Sequence, residues 1–406
     1  MPNEFRFAST PIEVPKIDTK HRKIVTKLPV PESLPILEAI SKYESSNVKD
    51  YPPIIWSRAK EYTIEDKWGN RWIDFSSGVL ITNAGHGRAE MVDAIVSQAK
   101  GQLLTSYCFP HESRRELVEA LQGVAPRRDD KVMLLSTGSE ATEMCVKLSR
   151  EHGRAVGKSP NVFVSFDNSF HGRTLGAQLA GGVPDLKKWI GYDDTHFVQV
   201  PFPDGGVRCG PEDNEFSAFE RSLCEAGVSA HQVCGVMTET YQGGNSSFAP
   251  TSYIQQLRQW CNDHKALLIM DEVQAGFGRT GTFWGFEHYG IQPDLIACGK
   301  GISGSLPISA VIGRSHIMDL CPPGSMTSTH SGNPVCCAAA LASLKLILAE
   351  NLPERASRIG SVLQDSSQRI QRRFSDVILA SHGKGLVTSL HCVKDRKSTR
   401  LNSSHW

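Results

Sequence analysis

The sequence has no Cys-x-x-Cys pair and no His/Cys spacing suited to zinc, so the common structural metal motifs are excluded and no metal site is expected. Its 11 cysteines are scattered and read as reduced core thiols, which points to a reducing compartment, most simply the cytosol. Neither charge dominates. With 44 Lys and Arg against 43 Asp and Glu the formal charge is +1, which gives no electrostatic case for nucleic acid or an anionic membrane. The longest apolar run, VCCAAALASLKLILA, carries Lys345 and is too short to span a bilayer. The opening residues carry Glu4 and no apolar core, which is not the pattern of a secretory signal. Internal repeats and low-complexity tracts are also missing.

What is present is an alternation of strands and helices in a chain long enough for one large or two moderate domains. Residues 1–35, rich in Pro, Lys and Thr, read as an extended arm. EYTIEDKWGNRWIDF reads as a hairpin turning at Asp66 to Asn70. KVMLLS, NVFVSF, QVCGVMTET, ALLIMDEV, DLIACGK and PISAVIGR read as six strands. Between them TGSEATEMCVKLSREHG is a helix with Thr137 and Glu140 at capping-box spacing, and SYIQQLRQWCNDHK is another. A long helical region follows SGNP and reaches about Phe374. The fold class is therefore α/β, a mostly parallel sheet with helices on its faces.

Four strand ends carry unusual residues, and in an open α/β sheet that edge is where ligands bind. Gly138 and Ser139 open a helix whose free N–H groups can hold a phosphate, although Ser and Gly also start ordinary helices. FDNSFHGR places Phe170, a His and Arg173 after a strand, where Phe170 could equally be core. LLIMDE runs an apolar strand into Asp271 and Glu272, and Lys300 stands between glycines after the next strand. An acid and a lysine at neighbouring strand ends could be a partly buried ion pair. A nucleoside triphosphatase would need a Gly-x-x-x-x-Gly-Lys-Ser/Thr loop, and Lys300 is followed by Gly301, so that loop is missing. Pyridoxal phosphate needs a lysine, a carboxylate for its ring nitrogen, a phosphate cradle and an aromatic face. Lys300, Asp271, Gly138 with Ser139, and Phe170 supply those parts.

With these residues in place the sequence resembles the class III aminotransferases, enzymes of pyridoxal-phosphate fold type I. The resemblance runs from about KIVTKLPVPES to GKGLV and rests on the DE-x-x-x-Gly-x-Gly-Arg-Thr-Gly segment with the downstream Gly-Lys-Gly. GVLITNAGHGRAEMVDAI is similar to the family's early pocket segment. The resemblance implies that Lys300 holds the cofactor and then serves as general base for the proton shift. It implies that Asp271 pairs with the ring nitrogen, Gln274 meets the ring's phenolic oxygen, Phe170 stacks on the ring, and Gly138 and Ser139 hold the phosphate. TSTHSGNP is similar to the family's Ser-Thr-Phe-Gly-Gly-Asn-Pro, so Thr329 would reach the phosphate of a partner subunit in a homodimer with a shared site. Arg173 would bind a substrate carboxylate, as in members acting on ω-amino acids and ornithine-like substrates. A surface arginine remains the plain alternative. Two departures stand out. Gly244 replaces the second Glu of the family's Gln-Gly-Glu-Gly, and His330 with Ser331 replaces Phe-Gly after Thr329.

The implied activity is transfer of an amino group from an amine or ω-amino acid, 4-aminobutyrate- or ornithine-like, to a 2-oxo acid. A racemase, aminomutase or decarboxylase on the same scaffold and an inactive truncated remnant are the alternatives. The expected organisation is an arm and part of a small α+β domain over 1–75, a large cofactor-binding domain over 76–319, and an incomplete C-terminal small domain over 320–394. Residues 395–405, DRKSTRLNSSH, translate codon for codon a sequence resembling a widely used sequencing adapter, so 395–406 is expected to be a tail without regular structure. If the small domain is incomplete, Leu386, Val387 and Leu390 should lack packing partners.

Overall fold

A computed structural model describes residues 9–45, 51–205 and 210–392. The adapter-like segment lies outside the described residues. The described residues form two compact units, one within 9–79 with 85–89, the other of 80–84 with residues from 90 to 392.

The first unit holds a five-stranded antiparallel sheet in the order β1 (Ile17–Asp18), β2 (Lys23–Ile24), β5 (Arg71–Ile73), β4 (Thr63–Glu65), β3 (Arg58–Lys60). The hairpin between β4 and β5 turns where the sequence predicts. Asp66 Oδ1 accepts from the N–H groups of Trp68 at 2.8 Å and Asn70 at 2.9 Å, reinforcing the backbone bond from Asp66 N–H to Asn70 O at 3.2 Å.

The second unit is built on a seven-stranded sheet. Its strands are β6 (Asp130–Leu135), β7 (Val162–Phe166), β8 (Phe197–Val200), β9 (Val233–Glu239), β10 (Leu267–Asp271), β11 (Leu295–Cys298) and β12 (Ser309–Arg314), in the order β6-β12-β11-β10-β9-β7-β8. Neighbours pair parallel except at β12, which runs antiparallel to both β11 and β6. All six strands read from the sequence are present. The short β8, missed there, is an outer strand whose first three residues are only partly buried, so HFVQV lacks the continuous apolar run of its neighbours. Residues of β7, β9, β10 and β11 are buried on both faces, which is why they read as mainly apolar runs without a polar–apolar alternation.

The helical region after SGNP is two helices, Pro334–Ala349 and Leu352–Arg373, broken at Asn351, whose φ of 47° is left-handed. Among the described residues no single helix is long and apolar enough to cross a membrane. A hairpin of β13 (Ile378–Lys384) and β14 (Val387–Cys392) packs on the second helix. The expectation for its apolar residues needs one correction. Leu386 and Leu390 are each 38% exposed, but Val387 is buried beside Tyr241, Ala275 and Phe248. Val387 starts a strand whose alternate residues turn inward, and the segment after β9 covers it.

One buried charge secures the sheet from below. Asp294, 4% exposed, accepts from Leu268 N–H at 2.8 Å and pairs with Arg258 at 2.7 Å and Arg314 at 3.2 Å. Asp294→Ala would leave two guanidiniums beside β10 and β11 without their counter-charge. It should destabilise the protein by about 3–5 kcal/mol, read from urea unfolding.

Candidate active site

Four chain segments meet at one end of the parallel strands. Pairing brings Glu239, Asp271 and Ala297 into one row as the last rungs of β9, β10 and β11, and Lys300 follows three residues later. The segment after β7 carries Phe170, His171 and Arg173, and the helix Gly138–Ala155 starts beside it.

The helix start is fixed by its own sequence. Thr137 Oγ1 accepts from Glu140 N–H at 3.1 Å, and Glu140 accepts from Thr137 N–H at 3.1 Å and Ser136 N–H at 2.7 Å. The capping box thus satisfies those donors and leaves the N–H groups of Gly138 and Ser139 to face outward at the positive end of the helix dipole. Ser309 Oγ donates to Thr137 O at 2.6 Å, so β12 holds the helix start against the strand ends. Across from it Arg173 N–H donates to Ser139 Oγ at 3.3 Å, and Thr142 Oγ1 donates to His171 O at 2.6 Å. Gly172 has φ of 132°, and a Cβ there would collide with Ser139 Oγ, so only glycine lets the two segments close.

Asp271 is the centre of the site. Its Oδ1 accepts from Val273 N–H at 3.1 Å and its Oδ2 takes a 2.7 Å hydrogen bond from His171 Nδ1. Burial disfavours the His171 cation, but the bond to Asp271 and the charges of Asp271 and Glu239 outweigh it and raise the imidazole pKa. Glu239 accepts from the N–H groups of Phe170 at 3.1 Å and Gly243 at 3.0 Å. Burial pushes its carboxyl up to about 7, against the pull of His171. Glu272, next to Asp271 in sequence, turns the other way. It accepts from Thr240 Oγ1, from Gly285 N–H at 2.6 Å and from Phe286 N–H at 3.1 Å, and so anchors a 3₁₀ turn beneath the sheet.

Lys300 sits at the start of a short 3₁₀ turn with φ of 41°, a left-handed conformation that costs a lysine free energy and is typical of a functional site. Burial lowers its proton affinity, opposed by Asp271 and Glu239 and assisted by Arg279. Two buried polar atoms beside these groups have no partner, His171 Nε2 and Gln274 Oε1. A buried site with two unspent polar atoms, an anion-binding helix start, a carboxylate and a lysine fits an aromatic phosphate ester with a carbonyl group.

Of the residues named from sequence, Gly138, Ser139, Phe170, Asp271, Gln274 and Lys300 lie at this sheet end. Arg173 is exposed, with its guanidinium 5.7 Å from the Phe170 ring centre. Thr329 is exposed on a loop held by Ser328 Oγ, which donates to Glu140 at 3.2 Å. Beside that loop is a cleft of about 290 Å³ lined by Tyr107, Phe109, Arg114 and Ser331. His171 and Glu239 were given no role from sequence, and their signal was position alone, as polar residues at the ends of apolar strands.

Known proteins are similar to this chain over most of its length. The Aminotransferase class-III family matches residues 44–404. A 4-aminobutyrate aminotransferase of Mycobacterium leprae is 33% identical over 388 residues, 92% of this chain and 84% of that protein. An acetylornithine aminotransferase of Methanopyrus kandleri is 30% identical over 362 residues, covering 89% and 86%. The solved structure of an ornithine aminotransferase from Toxoplasma gondii, with pyridoxal phosphate at partial occupancy in its active site, has a TM-score of 0.79 at 26% identity and covers 89% and 82%.

Glu239 gives a pH test. Its carboxyl pKa is raised in the folded state, so its contribution to stability is full below the unfolded value near 4.5 and is lost as pH rises through about 7. Wild type minus Glu239→Gln unfolding free energy should fall by up to ~3 kcal/mol between pH 4.5 and 7.5. Urea unfolding across that range measures it, and a flat difference would show that Glu239 titrates normally.

Proposed function

This chain belongs to the class III aminotransferases, and we propose that it moves an amino group from an ω-amino acid or related amine to a 2-oxo acid. It is a pyridoxal-phosphate-dependent transaminase of fold type I. The observation that carries the reading is the Asp271 carboxylate, buried and fixed at a strand end by His171 and Val273, one strand away from Lys300. When bound, the cofactor supplies an electron sink for the charge left after a C–H bond next to the amino nitrogen is broken.

The chain's own residues have distinct tasks. Asp271 would face the ring nitrogen and keep a proton on it, because a buried carboxylate held by two donors is a stable partner for a cation. Gly138 and Ser139 would bind the phosphate through backbone N–H groups. Phe170, whose own N–H is tied to Glu239, would give the ring an aromatic face, and Gln274 would use its amide on the phenolic oxygen. Lys300 would hold the cofactor and move the proton. Burial favours its neutral form, the form that attacks a carbonyl and accepts a proton. Arg173 would receive a substrate carboxylate, which suits 4-aminobutyrate- and ornithine-like donors. The named relatives act as aminotransferases, and this disfavours a racemase, aminomutase or decarboxylase.

The same reading extends to assembly. We infer a cytosolic homodimer in which Thr329 reaches the phosphate bound by the other subunit. The exposed Thr329 loop, the apolar cleft beside it and the absence of disulfides among the described residues support this.

The holoenzyme given 4-aminobutyrate or ornithine without acceptor should release one equivalent of carbonyl product per site, and added 2-oxoglutarate should restore turnover. Release of carbon dioxide instead would mark a decarboxylase. Borohydride reduction followed by peptide mapping should place the cofactor on Lys300, and Lys300→Ala should abolish turnover. Cofactor trapped on another lysine would overturn the assignment.

A further inference from the structure

The loop that follows Asp271 folds back on the loop that carries Lys300, and a single amide joins them. Asn83 Nδ2 donates to Gly276 O at 3.0 Å and to Phe277 O at 3.0 Å, while its Oδ1 accepts from Arg279 Nη2. The same amide lies against Gly301, where a Cβ would collide with it, so the residue after Lys300 must be glycine for the contact to form. Both loops are left-handed at this point, with φ of 60° at Phe277 and 41° at Lys300. Two unfavourable backbone conformations therefore face each other across Asn83, and such conformations persist only where the surroundings hold them. Arg279 is 6% exposed, a cation kept inside the protein.

We propose that Asn83 and Arg279 are positioning residues for Lys300: the Asn83 amide holds the turn after β10 through Gly276, Phe277 and Arg279 and packs against Gly301, which sets the Arg279 guanidinium beside the turn that carries the lysine. The proposal rests on the reading of Lys300 as the reacting lysine. The charged groups acting on Lys300 are Asp271 and Glu239, which favour its cation, and Arg279, which disfavours it, with burial adding to Arg279. Asp271 is also the partner of His171, so its charge is shared. Burial is the largest influence on the lysine, and Arg279 adds to it against the two carboxylates. A buried guanidinium serves here because it does not lose its proton.

The test uses the full chain freed of cofactor, so that Lys300 can be titrated directly. Competitive labelling with acetic anhydride, read at the Lys300 peptide as a function of pH, gives the midpoint of its free amine. Arg279→Gln retains a hydrogen-bonding group for Asn83 and removes the charge. It should raise the midpoint by about one unit and cut labelling about tenfold at a fixed pH below it. Arg279→Lys should keep the wild-type midpoint. Asn83→Ala keeps the charge but releases it, and should raise the midpoint part of the way while speeding cofactor release from the holoenzyme severalfold. If Arg279→Gln does not fold, Asn83→Ala alone decides the matter. An unchanged midpoint with only a lower melting temperature in a folded variant would overturn the proposal. Borohydride trapping on a different lysine would instead remove the reading beneath it, and the two failures are told apart by which measurement changes.

Discussion

The 2.7 Å hydrogen bond between His171 Nδ1 and Asp271 Oδ2 is closed off from water, and the chemistry of the sheet end depends on it. The imidazole and one backbone N–H hold the Asp271 carboxylate in a fixed direction. That direction is set by β10, whose residues are buried on both faces and so cannot shift register. The helix start at Gly138, the Phe170 loop and the Lys300 turn are then arranged about a carboxyl group fixed in place.

The adjacent acids at 271 and 272 show how one local pattern serves two purposes. At a strand end, consecutive side chains point to opposite faces. Asp271 faces the site, whereas Glu272 is fully buried and gathers three donors beneath the sheet. Glu239, in the same row on β9, belongs with Asp271 by position, yet its oxygens are spent on the N–H groups of Phe170 and Gly243. It shapes the walls of the site.

Much of this was legible in the sequence, for physical reasons that can be named. The run Leu267–Met270 is apolar at every position because both faces of its strand are covered, and that signal survives without any structure. Thr137 and Glu140 read as a capping box because the spacing itself makes the bonds. Asp66 and Asn70 close a turn within five residues. What failed to show was whatever depends on contacts distant in sequence. His171 meets Asp271 across 100 residues, and Asn83 meets Gly276 across 193. The outer strand β8 was missed because half-burial breaks its apolar run, and Val387 could not be given its neighbours Tyr241 and Ala275 from a hairpin pattern alone.

The account stands on Asp271 keeping a proton on the cofactor's ring nitrogen. The direct measurement is the ¹⁵N chemical shift of that nitrogen in holoenzyme loaded with ring-labelled pyridoxal phosphate, followed across neutral pH in wild type and Asp271→Asn. The account predicts a protonated nitrogen in wild type throughout and an unprotonated one in the variant. An unprotonated nitrogen in wild type would contradict it.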